Sequence, residues 1–112
     1  MITISSMSSH HVVVVSTTDS EHIAHALATA AIESGLGACA QILGPITSIF
    51  RWDSQMQTQQ QWRVEIKTAA DRVKPLSEYI TAHHNDDVPE LIVVPIEGGS
   101  SEYLSWIIDQ TR

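Results

Sequence analysis

Between residues 62 and 67 the chain alternates without a break: Trp62, Val64 and Ile66 are apolar, and Arg63, Glu65 and Lys67 between them are charged. A period of two places the first set on one face of a strand and the second on the other. Such a strand is packed on one side and wet on the other. An extended stretch precedes it over 38–52, where Ile46, Ser48, Phe50 and Trp52 share one face and Thr47, Ile49 and Arg51 share the other. Asp53-Ser54 suits a turn, and 55–61 is polar and glutamine-rich. Together these segments predict a long hairpin. Gly44-Pro45 interrupts its first arm and predicts a bulge or bend, because proline brings no N–H to a ladder. A hairpin of this length needs a layer over its apolar face and a cover for its edges.

The remaining elements supply that layer. Val12-Val13-Val14-Val15 is a run of β-branched residues suited to a strand buried on both faces. Thr18 with Glu21 fits a capping box, with Asp19 as an alternative cap. The helix that follows runs to about Ser34 with a stripe of Ile23, Ala24, Leu27, Ala28 and Ala31, and Gly35 ends it. A second helix spans about 71–84, with Val73, Leu76, Ile80 and His83 on one stripe. Pro75 is acceptable only in its first turn, which moves its start toward Lys74. Residues 85–89 form a loop and 91–96 a short apolar strand. Gly98-Gly99 then turns the chain, and Ser100 or Ser101 caps a last helix with Tyr103, Leu104, Ile107 and Ile108 facing inward. The order β-α-β-β-α-β plus a C-terminal helix is the α+β, ferredoxin-like arrangement. Residues 1–10 read as a flexible polar tail and 11–112 as a single domain.

Charge and cysteine usage narrow the partners. Thirteen acidic and 6 basic residues leave a net charge of −7, which repels phosphate backbones and anionic lipid and attracts cations. Nucleic acid and membrane are therefore not expected partners. The single cysteine, Cys39, forms no internal disulfide. With no apolar run near the roughly 20 residues of a membrane span and no signal peptide at the start, the expected location is cytoplasmic. The chain contains no Walker A loop, no G-x-G-x-x-G fingerprint and no G-x-S-x-G elbow, and no pair of carboxylates suggests acid–base catalysis. A binding or scaffold protein is expected rather than an enzyme.

His83, His84, Asp86, Asp87 and Glu90 fall within one short segment. Imidazole with carboxylate suits divalent transition ions, and a Cys39 thiolate would favour copper. The alternative has His83 packed on the sheet, His84 as a polar helix end, and Cys39 as a small buried residue. His22 and His25, and His10 and His11, read as surface pairs. Lys67 suits an anionic ligand or an ion pair. Trp52 and Trp62 suit stacking on a ligand or a subunit interface.

Five elements in order resemble the CutA (divalent-cation tolerance) family. They are Gly37-Ala38-Cys39-Ala40, Phe50-Arg51-Trp52, Lys67-Thr68, His83-His84 with Pro89-Glu90, and Tyr103-Leu104-x-Trp106. The resemblance covers about residues 12–112. It implies a PII-like homotrimer in which hairpins of neighbouring subunits extend each other's sheets, and a role in divalent-cation tolerance through metal binding or scaffolding. Copper or another divalent cation is the implied ligand, with none required for folding. His84, His83 and Cys39 are the implied metal residues. A pocket between subunits, lined by Trp52, Lys67, His84 and Glu90, is the implied ligand site. The alternative is a PII-like signalling module that binds a small anionic metabolite between subunits. Three departures from the family pattern fall at that site: Ser54 for a glycine, Gln61 for a glutamate, and His84-Asn85-Asp86 for His-Pro-Tyr.

Overall fold

The computed structural model describes residues 9–112, so most of the expected tail at 1–10 lies outside the described residues. Four strands and three helices follow the expected order: β1 His11–Thr18, α1 Glu21–Glu33, β2 Cys39–Trp52, β3 Gln55–Ala69, α2 Val73–His83, β4 Ile92–Pro95 and α3 Ser101–Gln110. The sheet order is β2-β3-β1-β4, antiparallel throughout. β1 lies between β3 and β4 with Val14 opposite both Ile66 and Val93.

Burial follows from this order. The helix-covered face of the sheet presents Val12, Val14, Val64 and Ile66, and Ala24, Ala28 and Ala31 of α1 meet them with Val73, Leu76 and Ile80 of α2. Small residues on α1 let the helix approach the sheet closely. The connection from α1 to β2 is packed as tightly against the sheet: a Cβ on Gly37 would lie 2.5 Å from Ile66 Cγ2. In β1, Val12, Val14 and Val15 are buried, while Val13 is only half-buried.

Caps and helix starts differ in detail from expectation. Ser20 caps α1, its Oγ accepting from the Ile23 N–H at 3.1 Å. Neither Thr18 nor Asp19 does so, because both turn toward the 84–90 loop. A short 3-10 helix at Ala70–Arg72 precedes α2, which begins at Val73. His83 is not on its buried stripe; the ring is exposed and stacks on Tyr79 with centroids 4.0 Å apart. Ser100 caps α3. Ile107 is fully buried there, but Tyr103 faces outward at 41% exposure.

The hairpin is longer than the alternating signal suggests. β3 begins at Gln55, and Trp52 pairs with Gln55 across a two-residue turn. Asp53 and Ser54 both have positive φ, +54° and +62°, the backbone of a twist-matched hairpin turn. The register shifts between Leu43 and Ile46, around the cis Gly44-Pro45 bond. The extra residue reverses the parity of β2. Ile42 before it and Ile49 after it therefore share the helix-side face of the sheet.

Candidate functional site

The loop after α2 is anchored to the end of β1 by side chains. His84, whose side chain is wholly buried, donates from Nε2 to the Thr17 carbonyl at 2.7 Å, and its Nδ1 accepts from the Asp86 N–H at 2.9 Å. One hydrogen bond per ring nitrogen sets the neutral tautomer. Thr18 Oγ1 donates to Asn85 Oδ1 at 2.7 Å, and Asn85 Nδ2 donates to Asp19 Oδ1 at 2.7 Å. Thr17 Oγ1 donates to Glu90 Oε1 at 3.1 Å. These contacts hold residues 84–90 beside the distal hairpin.

Between the loop and the hairpin lies an open cleft of about 830 Å³. Asp86, Asp87 and Glu90 line one side. Phe50, Trp52, Gln57, Gln59 and Gln61 line the other, all on the face opposite α1 and α2. Gln59 Nε2 donates to Asp19 Oδ2 at 3.1 Å, tying the hairpin to the same carboxylate that receives Asn85.

The expected site residues divide between two ends of the sheet. Trp52 and Glu90 line the cleft, and His84 sits beneath its rim, bonded to two residues of the lining. Lys67 and Cys39 pair with each other and lie beside Val13 of β1. Thr17 is four residues further along that strand, about 13 Å away at strand rise. At that end Lys67 Nζ donates to Gln41 Oε1 at 2.6 Å. Cys39, half-buried, lies beside the Tyr103 hydroxyl, whose pKa stands above its ordinary value of 10.0 through burial and then through the neighbouring thiol. His83 points away from both ends, with Nδ1 donating to the Tyr79 carbonyl at 2.9 Å.

No three His, Cys, Asp or Glu side chains converge on one point among the described residues. Both His84 nitrogens already hold hydrogen bonds, while His83 ends α2 and Cys39 begins β2. The donor set of a single subunit does not fit a chelated copper ion, which wants several ligands around one centre. Sequence reasoning missed Asp19, Thr17, Gln57 and Gln59. The polar run at 55–61 was the available signal, but it marks polarity without showing which strand or loop it faces.

The fold and these sequence elements find the same counterparts elsewhere. The family model described as CutA1 divalent ion tolerance protein matches residues 12–110. A divalent-cation tolerance protein CutA of Thermus thermophilus is 36% identical over 99 residues, covering 88% of this chain and 96% of that one. A chloroplastic protein CutA of Arabidopsis thaliana is 36% identical over 101 residues, covering 90% of this chain. This chain spans only 56% of that relative's length. The crystal structure of CutA1 from Oryza sativa superposes with a TM-score of 0.89 at 35% identity, covering 93% of this chain and 95% of that one. No helix among the described residues is long and apolar enough to cross a membrane. With four strands in ferredoxin-like order, the Ala-Cys-Ala, aromatic-x-Trp and His-His elements in their places, and a family match over nearly the whole chain, the protein belongs to the CutA1 divalent ion tolerance family.

Proposed function

We propose that this chain acts as a homotrimeric binding or scaffold protein of divalent-cation tolerance in the cytoplasm, and that it is not an enzyme. The observation that carries the reading is the distal hairpin. The outer edge of β2 has no strand partner among the described residues, and Ile49, Trp52 and Met56 are 68%, 55% and 75% exposed. Fourteen residues of open edge beside apolar side chains invite pairing with another chain. Closed association of identical copies covers such edges without open-ended growth. The cleft beside the hairpin is then the binding site, with Trp52 and Glu90 in its lining and neighbouring subunits beside it.

The metal part of the reading rests on the family's divalent-cation tolerance and on two side-chain donors. Copper held by this protein draws ligands from more than one subunit, with His83 Nε2 and the Cys39 thiol as the side-chain donors left open by their own contacts. Light scattering coupled to gel filtration tests the assembly, which is expected at three times the 12.3 kDa chain mass; a monomer across the concentration range overturns it. Calorimetry with Cu²⁺ and Zn²⁺ on tag-free protein tests the metal. Binding is expected to weaken in Cys39→Ser and His83→Ala, and binding unaltered by both removes them as ligands.

A further inference from the structure

The distal hairpin is the part of the sheet with the fewest neighbours. β1 pairs with β3 only as far as Trp62, opposite Thr18. Beyond that point, among the described residues, β3 has only β2 as a partner strand. No helix covers this stretch: Ile49 and Met56, on its helix-side face, are 68% and 75% exposed. The ladder is also interrupted at its base, where the register shifts between Leu43 and Ile46. A two-stranded ribbon is marginal without a layer to pack on, and an irregular rung at its base lets it bend.

One carboxylate bridges that base. Asp19 lies between the end of β1 and the start of α1. Its Oδ1 accepts from Asn85 Nδ2 at 2.7 Å and its Oδ2 from Gln59 Nε2 at 3.1 Å. Asn85 is fixed in turn by Thr18 Oγ1, which donates to its Oδ1 at 2.7 Å. Gln59 is steadied by Gln61, whose Nε2 donates to Gln59 Oε1 at 3.2 Å. Gln59 and Gln61 pair with Ser48 and Ile46, both beyond the register shift. Among the described residues, the side-chain hydrogen bond that ties this ribbon to the body of the subunit is therefore that of Gln59 to Asp19. Amides donating to an ionised carboxylate make stronger hydrogen bonds than neutral pairs do. Asp19 is not needed as a helix cap, because Ser20 caps α1.

We propose that Asp19 is a positioning residue for assembly: its carboxylate clasps the distal hairpin to the 84–90 loop and holds the open β2 edge in the pose that meets the next copy. This role rests on the homotrimer reading and names what orients its docking edge. A ribbon free to swing about 43–46 presents that edge correctly for only a fraction of the time. The rate of productive encounter falls by the same fraction.

Refolding of the full chain from denaturant tests it, followed at dilutions where association limits recovery. The concentration-dependent phase reports assembly, and the concentration-independent phase reports folding of the single chain. Asp19→Ala is expected to slow the first about tenfold and to leave the second unchanged. Gln59→Ala is expected to slow assembly by a similar factor. That variant keeps the negative charge beside the α1 N-terminus, so it separates the clasp from an effect on the helix dipole. Gln59→Ala combined with Asn85→Ala is expected to be no slower than Asp19→Ala, since all of them lose the same bridge. Glu78→Gln, which removes an exposed carboxylate on α2, is expected to change neither phase. An assembly rate unaltered by Asp19→Ala and Gln59→Ala overturns the proposal. So does equal slowing of both phases, which marks residues needed for folding alone. A chain of monomer mass with no concentration-dependent phase removes the trimer reading instead. The clasp is then read from hydrogen exchange of the amides at 57–60, expected about tenfold faster in Asp19→Ala; exchange unaltered there overturns the clasp too.

Discussion

The two halves of the hairpin share one ladder and differ in almost everything else. In the proximal half, Ala40 pairs with Ile66 and Ile42 with Val64, and α1 lies across them, so Ile66 and Val64 are 1% exposed. In the distal half, Ile49 pairs with Thr58 and Arg51 with Met56 on the same face, but no helix reaches that far. Backbone pairing alone therefore makes the strands; a second layer makes the core. The Gly44-Pro45 irregularity stands at the boundary and changes which side chains face the helix layer: Thr47, Ile49 and Arg51 follow Ile42 on that face, and Ile46, Phe50 and Trp52 turn to the other. Apolar side chains left exposed beyond the helix layer, Ile49 and Met56 on one face and Trp52 on the other, form a surface suited to another partner.

The largest expected effect lies in the proximal half. Ile66→Ala is expected to cost about 2–5 kcal/mol in chemical denaturation, from lost burial and the cavity left between the sheet and α1. Gly37→Ala comes next at about 1–3 kcal/mol, since its Cβ must displace Ile66 Cγ2 in a packed core. At the tip the sign reverses. Ser54→Gly is expected to raise stability by about 1 kcal/mol, because φ of +62° strains a residue with a Cβ and suits glycine. Ile49→Ala is expected to change the stability of the dissociated chain by less than about 0.5 kcal/mol. A loss near that of Ile66→Ala, growing with protein concentration, shows the distal face packed against another copy.

The smallest effect is at the C-terminal helix end. Arg112 hydrogen-bonds Asp71 at 2.6 and 2.9 Å and holds its carboxyl below the ordinary 3.8. A depressed carboxylate stabilises the fold above the unfolded pKa, and that contribution disappears as pH falls through the folded value. Both side chains are largely exposed, so the effect is small. Melting curves of wild type and Asp71→Asn are expected to differ slightly near neutral pH and to converge at the acid end, below pH 3.8.

Alternation at 62–67 and the stripe on α1 were legible because each is a record of burial on one face. The strand at 55–60 was not legible for the same reason. Both its faces are largely exposed, so no period of two was selected there; only the ladder with β2 shows that it is a strand. His83 misled the reading of α2 because an imidazole at a stripe position looks the same whether it packs inward or stacks on Tyr79 at the surface. The family elements were readable as short strings, while their spatial grouping was not. Lys67 and Glu90 belong to the same pattern and lie at different ends of the sheet.

From the chain alone came the order of strands and helices, the hairpin with its turn and irregularity, the helix stripes that build the core, and the membership of a family. These follow from periodicity, from turn and cap chemistry, and from motifs, all local along the chain. The tertiary structure decided that Thr17 and Thr18 hold Glu90 and Asn85, that His84 is buried with both nitrogens occupied, and that Gln59 ties the hairpin to Asp19. Those contacts join residues as much as 73 positions apart. Such pairs leave no repeating trace in a sequence, because a hydrogen bond is set by where the sheet and its loops bring two groups together and not by the residues beside either one.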